Sequence, residues 1–144
     1  MERCVIHLFG ASGSGISTLG RFIADRMDCF FMDTDDYYWQ PTDPKYTTSR
    51  PIPERLELMQ RDIAAHKRVV ISGSLVDWGD GLIPLFTLAI RVETPTAVRI
   101  ARLRARERAR FGSRLDPDGD MYAQHEKFIR WAADYDEGDI HMRS

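Results

Sequence analysis

In "GASGSGIST", Gly10 to Thr18, glycines stand at 10, 13 and 15 and hydroxyls at 12, 14, 17 and 18, with Ala11 and Ile16 between them. Glycines let successive backbone N–H groups turn inward, and such a nest, backed by the amino end of a helix, grips an anion with no side chain involved. The spacing meets the phosphate-cradling pattern G-x-x-x-x-G-K-[ST] at Gly10, Gly15 and Ser17, while Ile16 stands where the lysine belongs. The nest from Ser12 to Ser17 is therefore expected to remain, and the movable ammonium is missing. A charged hydrogen bond is worth about 1.5–3 kcal/mol and a transition-state donor about 10²–10³ in rate, so its loss weakens binding and chemistry without abolishing either. The Ser17 hydroxyl is the expected ligand of Mg²⁺. The plainer reading is a glycine turn joining a strand to a helix, which leaves the match to the full spacing as a coincidence.

The only lysines are Lys45, Lys67 and Lys127, all remote from this loop in sequence, so arginine is the candidate replacement. In "TPTAVRIARLRARERARFGSR", Arg99, Arg102, Arg106 and Arg110 follow one another at intervals of three, four and four, which places them along one helix face. Guanidinium forks suit phosphate oxygens, and Arg106 and Arg110, nearest the break at Gly112, are the expected catalytic members. Arg99 and Arg102 are expected at the base of the cleft, and the bland alternative is a solvated face of an arginine-rich chain. "FMDTDDYYW" supplies Asp33, Asp35 and Asp36. A carboxylate there can hold a Mg²⁺-bound water or accept the proton of an acceptor hydroxyl; Asp33 and Asp35 are assigned that work, and Asp36 serves equally as a turn cap. Tyr37, Tyr38 and Trp39 offer faces to a base or ring, or fill core. "DPDGD" misses the positions of a calcium loop, so Asp120 is read as a helix cap. His7 reads as packed within a strand, and His66, His125 and His141 lack metal-ligand spacing.

The elements that must position these residues alternate. Arg3 to Phe9 reads as a buried strand, Ser17 to Met27 as a helix with Leu19, Phe22, Ile23 and Met27 at helical spacing, and Cys29 to Asp33 as a second strand. A long excursion follows, rich in proline and polar residues. Then come a helix with Leu56, Met59 and Ile63 on one face, a third strand at Arg68 to Ser74, and a fourth at Leu85 to Glu93. A helix runs from Pro95 to about Arg110, and a last one carries Met121, Phe128, Ile129 and Ala132 inward. Alternating strands and helices predict a parallel sheet covered on both faces, with ligands beyond the carboxyl ends of its strands. Gly10, Asp33, Asp35 and Ser72 to Ser74 all come from those ends.

The 144 residues fit one domain, and a net charge of -2 gives no whole-molecule attraction to nucleic acid or anionic lipid. A nucleic-acid module would rest on the arginine stripe alone, and no recognised motif supports it. No apolar run is long enough to span a bilayer and no leader is evident, so a cytoplasmic protein is expected, its two cysteines, Cys4 and Cys29, being free thiols in buried strands.

With these stretches in place, "HLFGASGSGISTLG", "FFMDTDDYYW", "VVISGS" and the arginine segment together resemble the small P-loop kinases that include adenylate, shikimate and gluconate kinases. The resemblance implies a three-layer α/β P-loop NTPase fold over residues 1–144, with a parallel sheet in the order 2-3-1-4 and a lid at about 106–120. It implies ATP as donor at Gly10 to Thr18, Mg²⁺ at Ser17 and Asp33, and an acceptor site near Asp35, Arg50, Arg55 and Ser74. The chain departs from the group at Ile16, and it stops at "DIHMRS", where the group adds a fifth strand and a final helix. An open fourth strand invites pairing with a second copy, so a homodimer across that edge is expected. The implied function is phosphoryl transfer from ATP to a small molecule or nucleoside monophosphate; the alternative is a non-catalytic nucleotide-binding protein of the same fold.

Overall fold

The computed structural model of the chain describes residues 2–137. Strands β1 (Cys4–Phe9), β2 (Phe30–Asp33), β3 (Arg68–Ser72) and β4 (Leu88–Arg91) form one sheet in the order β2-β3-β1-β4, every neighbouring pair parallel. This is the expected α/β architecture and strand order. Helices α1 (Ile16–Met27), α2 (Thr34–Tyr38), α3 (Ile52–Ala65), α4 (Thr96–Phe111) and α5 (Tyr122–Ala133) fill the connections.

Strand side chains alternate between faces, and each face has its own core. Val5, Val69 and Ile71 point to one side, where Met59 and Ile63 of α3 cover them together with Met32, Leu75, Trp78 and Leu82. Ile6, Leu8 and Val70 point to the other, against Ala24, Leu19 and Ile23 of α1. A third cluster, Leu103, Ile129 and Ala132, joins α4 to α5. Burying each such aliphatic side chain contributes about 1.5–3 kcal/mol, which outweighs the weak preference of any short segment for its own conformation.

Register decides what meets at the carboxyl ends. Leu8 pairs with Ser72, and Ser72 pairs with Asp33, so the ends of β1, β3 and β2 form one row. The glycine loop, the turn at Gly73 and Ser74, and the acids after β2 leave the sheet side by side.

Several local expectations change. Phe22 is 60% and Met27 39% exposed, because α1 turns Gly20 and Ala24 to the sheet instead. A Cβ on Gly20 would overlap the Ser72 hydroxyl and the Phe31 ring, so the helix approaches as closely as backbone allows. Phe22 lies under the Arg26 guanidinium at 5.8 Å. The fourth strand is shorter than Leu85 to Glu93, since Pro84 sits in a 3-10 turn over Asp80–Leu85 that ends only at Phe86. The third ends at Ser72, and Ser74 belongs to the turn. The excursion after β2 contains α2 and an antiparallel bridge between Trp39 and Ser49. Cys29 precedes β2 rather than lying in it; both cysteines are free and half-buried. Asp120 does not cap α5, whose N-cap is Met121; its carboxylate pairs with Arg114 at 2.8 Å. No described helix is long and apolar enough to cross a membrane.

Candidate active site

Gly13 and Gly15 have φ of 83 and 86, the left-handed region that a side chain disfavours, and a Cβ on Gly13 would stand 2.7 Å from the Arg99 carbonyl oxygen. These two turns curl the loop between β1 and α1. Its carbonyls are tied to the surrounding protein. Ser12 O accepts from Arg99 Nη1 at 3.3 Å, Ser14 O from the Thr94 hydroxyl at 3.3 Å, and Ile16 O from the Ser72 hydroxyl at 3.0 Å. In a trans peptide the next N–H points the opposite way, so the amides of Gly13, Gly15 and Ser17 point away from those donors, and all three residues line the cavity. The first intrahelical bond of α1 is Leu19 N–H to Gly15 O, and no side chain caps the helix, which leaves the first-turn amides at its open, electropositive end. One expected member is missing from the nest, because Ser14 N–H closes a turn on Ala11 O at 3.1 Å.

The loop floors a cavity of about 430 Å³, within the range of about 300–1,000 Å³ usual for small-molecule sites. All nine residues from Gly10 to Thr18 line it. The Ser14 hydroxyl is buried there without a hydrogen-bond partner among the described residues. An orphaned donor and an open helix end fit a phosphate-bearing ligand. Ile16 is half-buried and lines the same space.

Asp33 and Asp35 line the cavity too. Asp33 caps α2, its Oδ1 accepting from Asp35 N–H at 3.0 Å. Burial pushes its carboxyl above the usual range; the Asp35 N–H opposes this, and the charges of Asp35 and Asp36 add to the rise. The capping role thus belongs to Asp33, while Asp36 is exposed and outside the lining. Ser17 and Asp33 share the cavity as hard oxygen donors suited to Mg²⁺ completed by phosphate oxygens. Among the described residues no group of three or more His, Cys, Asp or Glu side chains forms a metal cage.

The arginine stripe divides. Arg99 is 1% exposed and donates to Thr94 O, Ser12 O, Ala132 O and the Thr96 hydroxyl, making it a buried clamp between loop, α4 and α5. Arg102 donates to Gly13 O at 3.2 Å and lines the cavity, as does Arg106, which pairs with Glu107 at 3.1 Å. Arg110, expected beside Arg106, lies outside the lining. Arg50 and Arg55 also lie outside it. Arg50 binds Tyr37 O, Trp39 O and Glu54, and Arg55 is buried beneath the Tyr38 ring at 4.0 Å, so both brace the excursion after β2. Ser74 does line the cavity, its hydroxyl accepting from Val76 N–H at 3.3 Å.

Sequence reasoning reached Trp39 as a ring-stacking candidate, and it lines the cavity; Tyr37 instead donates to Asp62 at 2.7 Å. It missed Tyr46, Phe128 and Trp131 in that lining. The pairing of Phe128 with Trp131 at i,i+3 was the available signal, since such spacing stacks two rings on one helix face, here at 6.0 Å. His7 is packed as expected, its Nε2 bonded to Gly73 O at 2.8 Å between the rings of Phe9 and Phe86, and burial lowers its pKa.

No protein-family model matches the chain. Among solved structures, a gluconokinase from Sinorhizobium meliloti 1021 superposes with a TM-score of 0.54 at 22% identity, over 72% of this chain and 65% of that one. The chain thus spans just under two thirds of that enzyme's length. A shikimate kinase from Bacteroides thetaiotaomicron gives 0.50 at 19% identity, over 93% and 79%. At such identities the likeness is one of fold, and the fold is that of the P-loop kinases. In sequence, the protein called "Uncharacterized protein YqaC" of Bacillus subtilis (strain 168) is 39% identical over 139 residues, covering 96% of this chain and 76% of that protein. The chain belongs to the YqaC family, which here takes a P-loop kinase fold.

Proposed function

We propose that this protein is a Mg²⁺-ATP-dependent phosphotransferase acting on a small hydroxyl-bearing acceptor. The observation that carries the reading is the tethering of Ser12, Ser14 and Ile16 carbonyls by Arg99, Thr94 and Ser72, which turns the amides that follow them away from these anchors and supports a phosphate nest without a lysine. Those amides and the first turn of α1 hold the donor phosphates, and the buried Ser14 hydroxyl gains a partner there. Arg102 and Arg106 stand in for the absent ammonium, and Ser17 and Asp33 hold Mg²⁺, which when bound supplies neutralisation of the phosphate charge.

Asp33 or Asp35 takes the proton of the acceptor hydroxyl as its oxygen bonds to the γ-phosphorus and ADP departs. The segment 106–120 closes over the phosphates as a lid, carrying Arg110 inward, its shape kept by the ion pairs Arg108–Asp116 and Arg114–Asp120 at 2.8 Å each.

Incubation of the purified chain with Mg²⁺-ATP and a panel of hydroxyl acceptors, followed by ADP release, tests this. Release stimulated by one acceptor, and lost in Asp33→Ala with Asp35→Ala, is the expected outcome. The second reading, a nucleotide-binding protein without turnover, is favoured by Ile16. It predicts ATP binding that no acceptor stimulates and that the double substitution leaves unchanged.

A further inference from the structure

The strand order separates two ends of the cavity. β2 and β4 are the opposite edges of the sheet, and β1, with the glycine loop that follows it, lies between them. Asp33 and Asp35 enter the lining from β2 and α2, whereas Arg102 and Arg106 enter from α4 and Phe128 and Trp131 from α5, both helices that follow β4. Carboxylates suit an acceptor hydroxyl and guanidinium forks suit phosphate oxygens. Under the proposed function, the α4 and α5 side is therefore the donor end.

α5 meets the loop through α4. Leu103 packs with Phe128, Ile129 and Ala132, and a Cβ on Gly13 would stand 3.1 Å from Leu103 Cγ. Arg102, the residue before it, donates to Gly13 O at 3.2 Å. Gly13, Leu103 and Phe128 thus follow one another in contact, and Trp131 extends the row by one helical turn. The Phe128 and Trp131 rings stack at 6.0 Å with an interplanar angle of 25°. Phe128 is half-buried, while Trp131 lines the cavity and is 37% exposed. An indole stacked against a second ring and still open to a ligand cavity is a platform for a flat ring, since every nucleobase has a π-face to lay on it. Arginines beside such a platform suit a ligand that carries ring and phosphates together.

We infer that Trp131, supported by Phe128, receives the base of the nucleotide whose phosphates lie on the glycine loop. This rests on the reading of that loop as a phosphate site and names what holds the part of the donor the loop does not grip. Loop amides and the α4 arginines bind any polyphosphate. The Phe128 and Trp131 rings are what distinguish a nucleoside triphosphate from a bare one.

Calorimetric titration of the full chain with a non-hydrolysable ATP analogue and, separately, with inorganic tripolyphosphate, each with Mg²⁺, tests the inference. The expected result is that the analogue binds more tightly than tripolyphosphate, that Trp131→Ala weakens the analogue about 10-fold and leaves tripolyphosphate unchanged, and that Trp131→Phe restores most of the loss. Phe128→Leu keeps an apolar contact for Leu103 but removes the supporting ring; it weakens the analogue in the same sense and serves where Trp131→Ala fails to fold. Equal affinity of the native chain for the two probes, analogue binding indifferent to both substitutions, or a parallel loss of both probes in Trp131→Ala overturns the inference. Binding of neither probe overturns it together with the phosphate site. Analogue binding that depends on Trp131, in a chain that releases no ADP with any acceptor, sustains the inference and overturns the phosphotransferase reading instead.

Discussion

Arg102 reaches across from α4 to place Nη1 3.2 Å from the carbonyl oxygen of Gly13, at the lip of the glycine loop. The same nitrogen lies 3.6 Å from where a Cβ on Gly15 would stand. An exposed guanidinium is thereby held against the loop in which Ile16 stands at the lysine position, and under the proposed function it turns from carbonyl to phosphate. Arg102→Ala is expected to lower ATP affinity about 10-fold, the lower end of what a charged hydrogen bond contributes, as read by titration with a fluorescent ATP analogue. An unchanged affinity would mean that the guanidinium never turns to phosphate.

Ile16→Lys supplies the missing ammonium on a loop whose backbone already has its orientation. ATP affinity should rise about 10-fold or more, since the charged contact is worth about 1.5–3 kcal/mol. The same titration checks it, and an absence of any gain would show that the amides at this helix end do not face the donor.

Arg99 and Arg102 are neighbours on the helix with opposite roles. Arg99→Met removes donors from Ser12, Thr94 and Ala132 carbonyls within the protein, which is expected to cost about 3 kcal/mol or more at about 1–3 kcal/mol per buried group left unsatisfied. Thermal melting should reveal a large drop for Arg99→Met, and for Arg102→Ala, at an exposed position, a change within about 0.5 kcal/mol.

Asp33 carries a charge that burial disfavours, so its folded pKa lies above the ordinary 3.8. The folded state then holds the proton more tightly than the unfolded one, and stability falls as pH rises from 3.8 through the raised value, staying low above it. Asp33→Asn keeps an oxygen to accept from Asp35 N–H and removes the charge. It should raise the melting temperature at pH near neutral, lose that advantage as pH falls through the ordinary value, and abolish acceptor-stimulated ADP release. Melting curves across pH, beside the ADP assay, decide whether a stabilised but inactive protein results.

His7 titrates in the opposite sense. Burial lowers its pKa below 6.5, so on acidification the unfolded chain takes up the proton first and stability is lost as pH falls through 6.5 toward the folded value. His7→Gln, which retains a donor for Gly73 O, should flatten this part of the profile in denaturant unfolding at pH 7.5 and 5.5. A slope that persists in the variant would place the acid sensitivity elsewhere.

Much of the architecture was legible because its signals are local or periodic. Apolar runs ending in glycine or aspartate marked the strands, and alternation with helices implied a parallel sheet, while its order β2-β3-β1-β4 was expected only from the resemblance to the small P-loop kinases. Boundaries were less legible where one residue redirects the chain, as Pro84 does before β4. The exposed Phe22 shows the limit of periodicity: hydrophobic spacing says which residues share a helix face, but the close approach of Gly20 to Ser72 chose the face.

The sequence by itself determined the glycine loop, the carboxylates after β2 and the strands that bring them to one edge, because backbone freedom and side-chain alternation act over a few residues. Tertiary structure alone decided which arginines reach the cavity. Arg99, Arg102, Arg106 and Arg110 are alike in type and spacing, yet the docking of α4 between the loop and α5 buries the first, turns the next two to the cavity and leaves the last outside its lining. That choice depends on Leu103 meeting Ile129 and Ala132, contacts between residues far apart in the chain that no local pattern encodes.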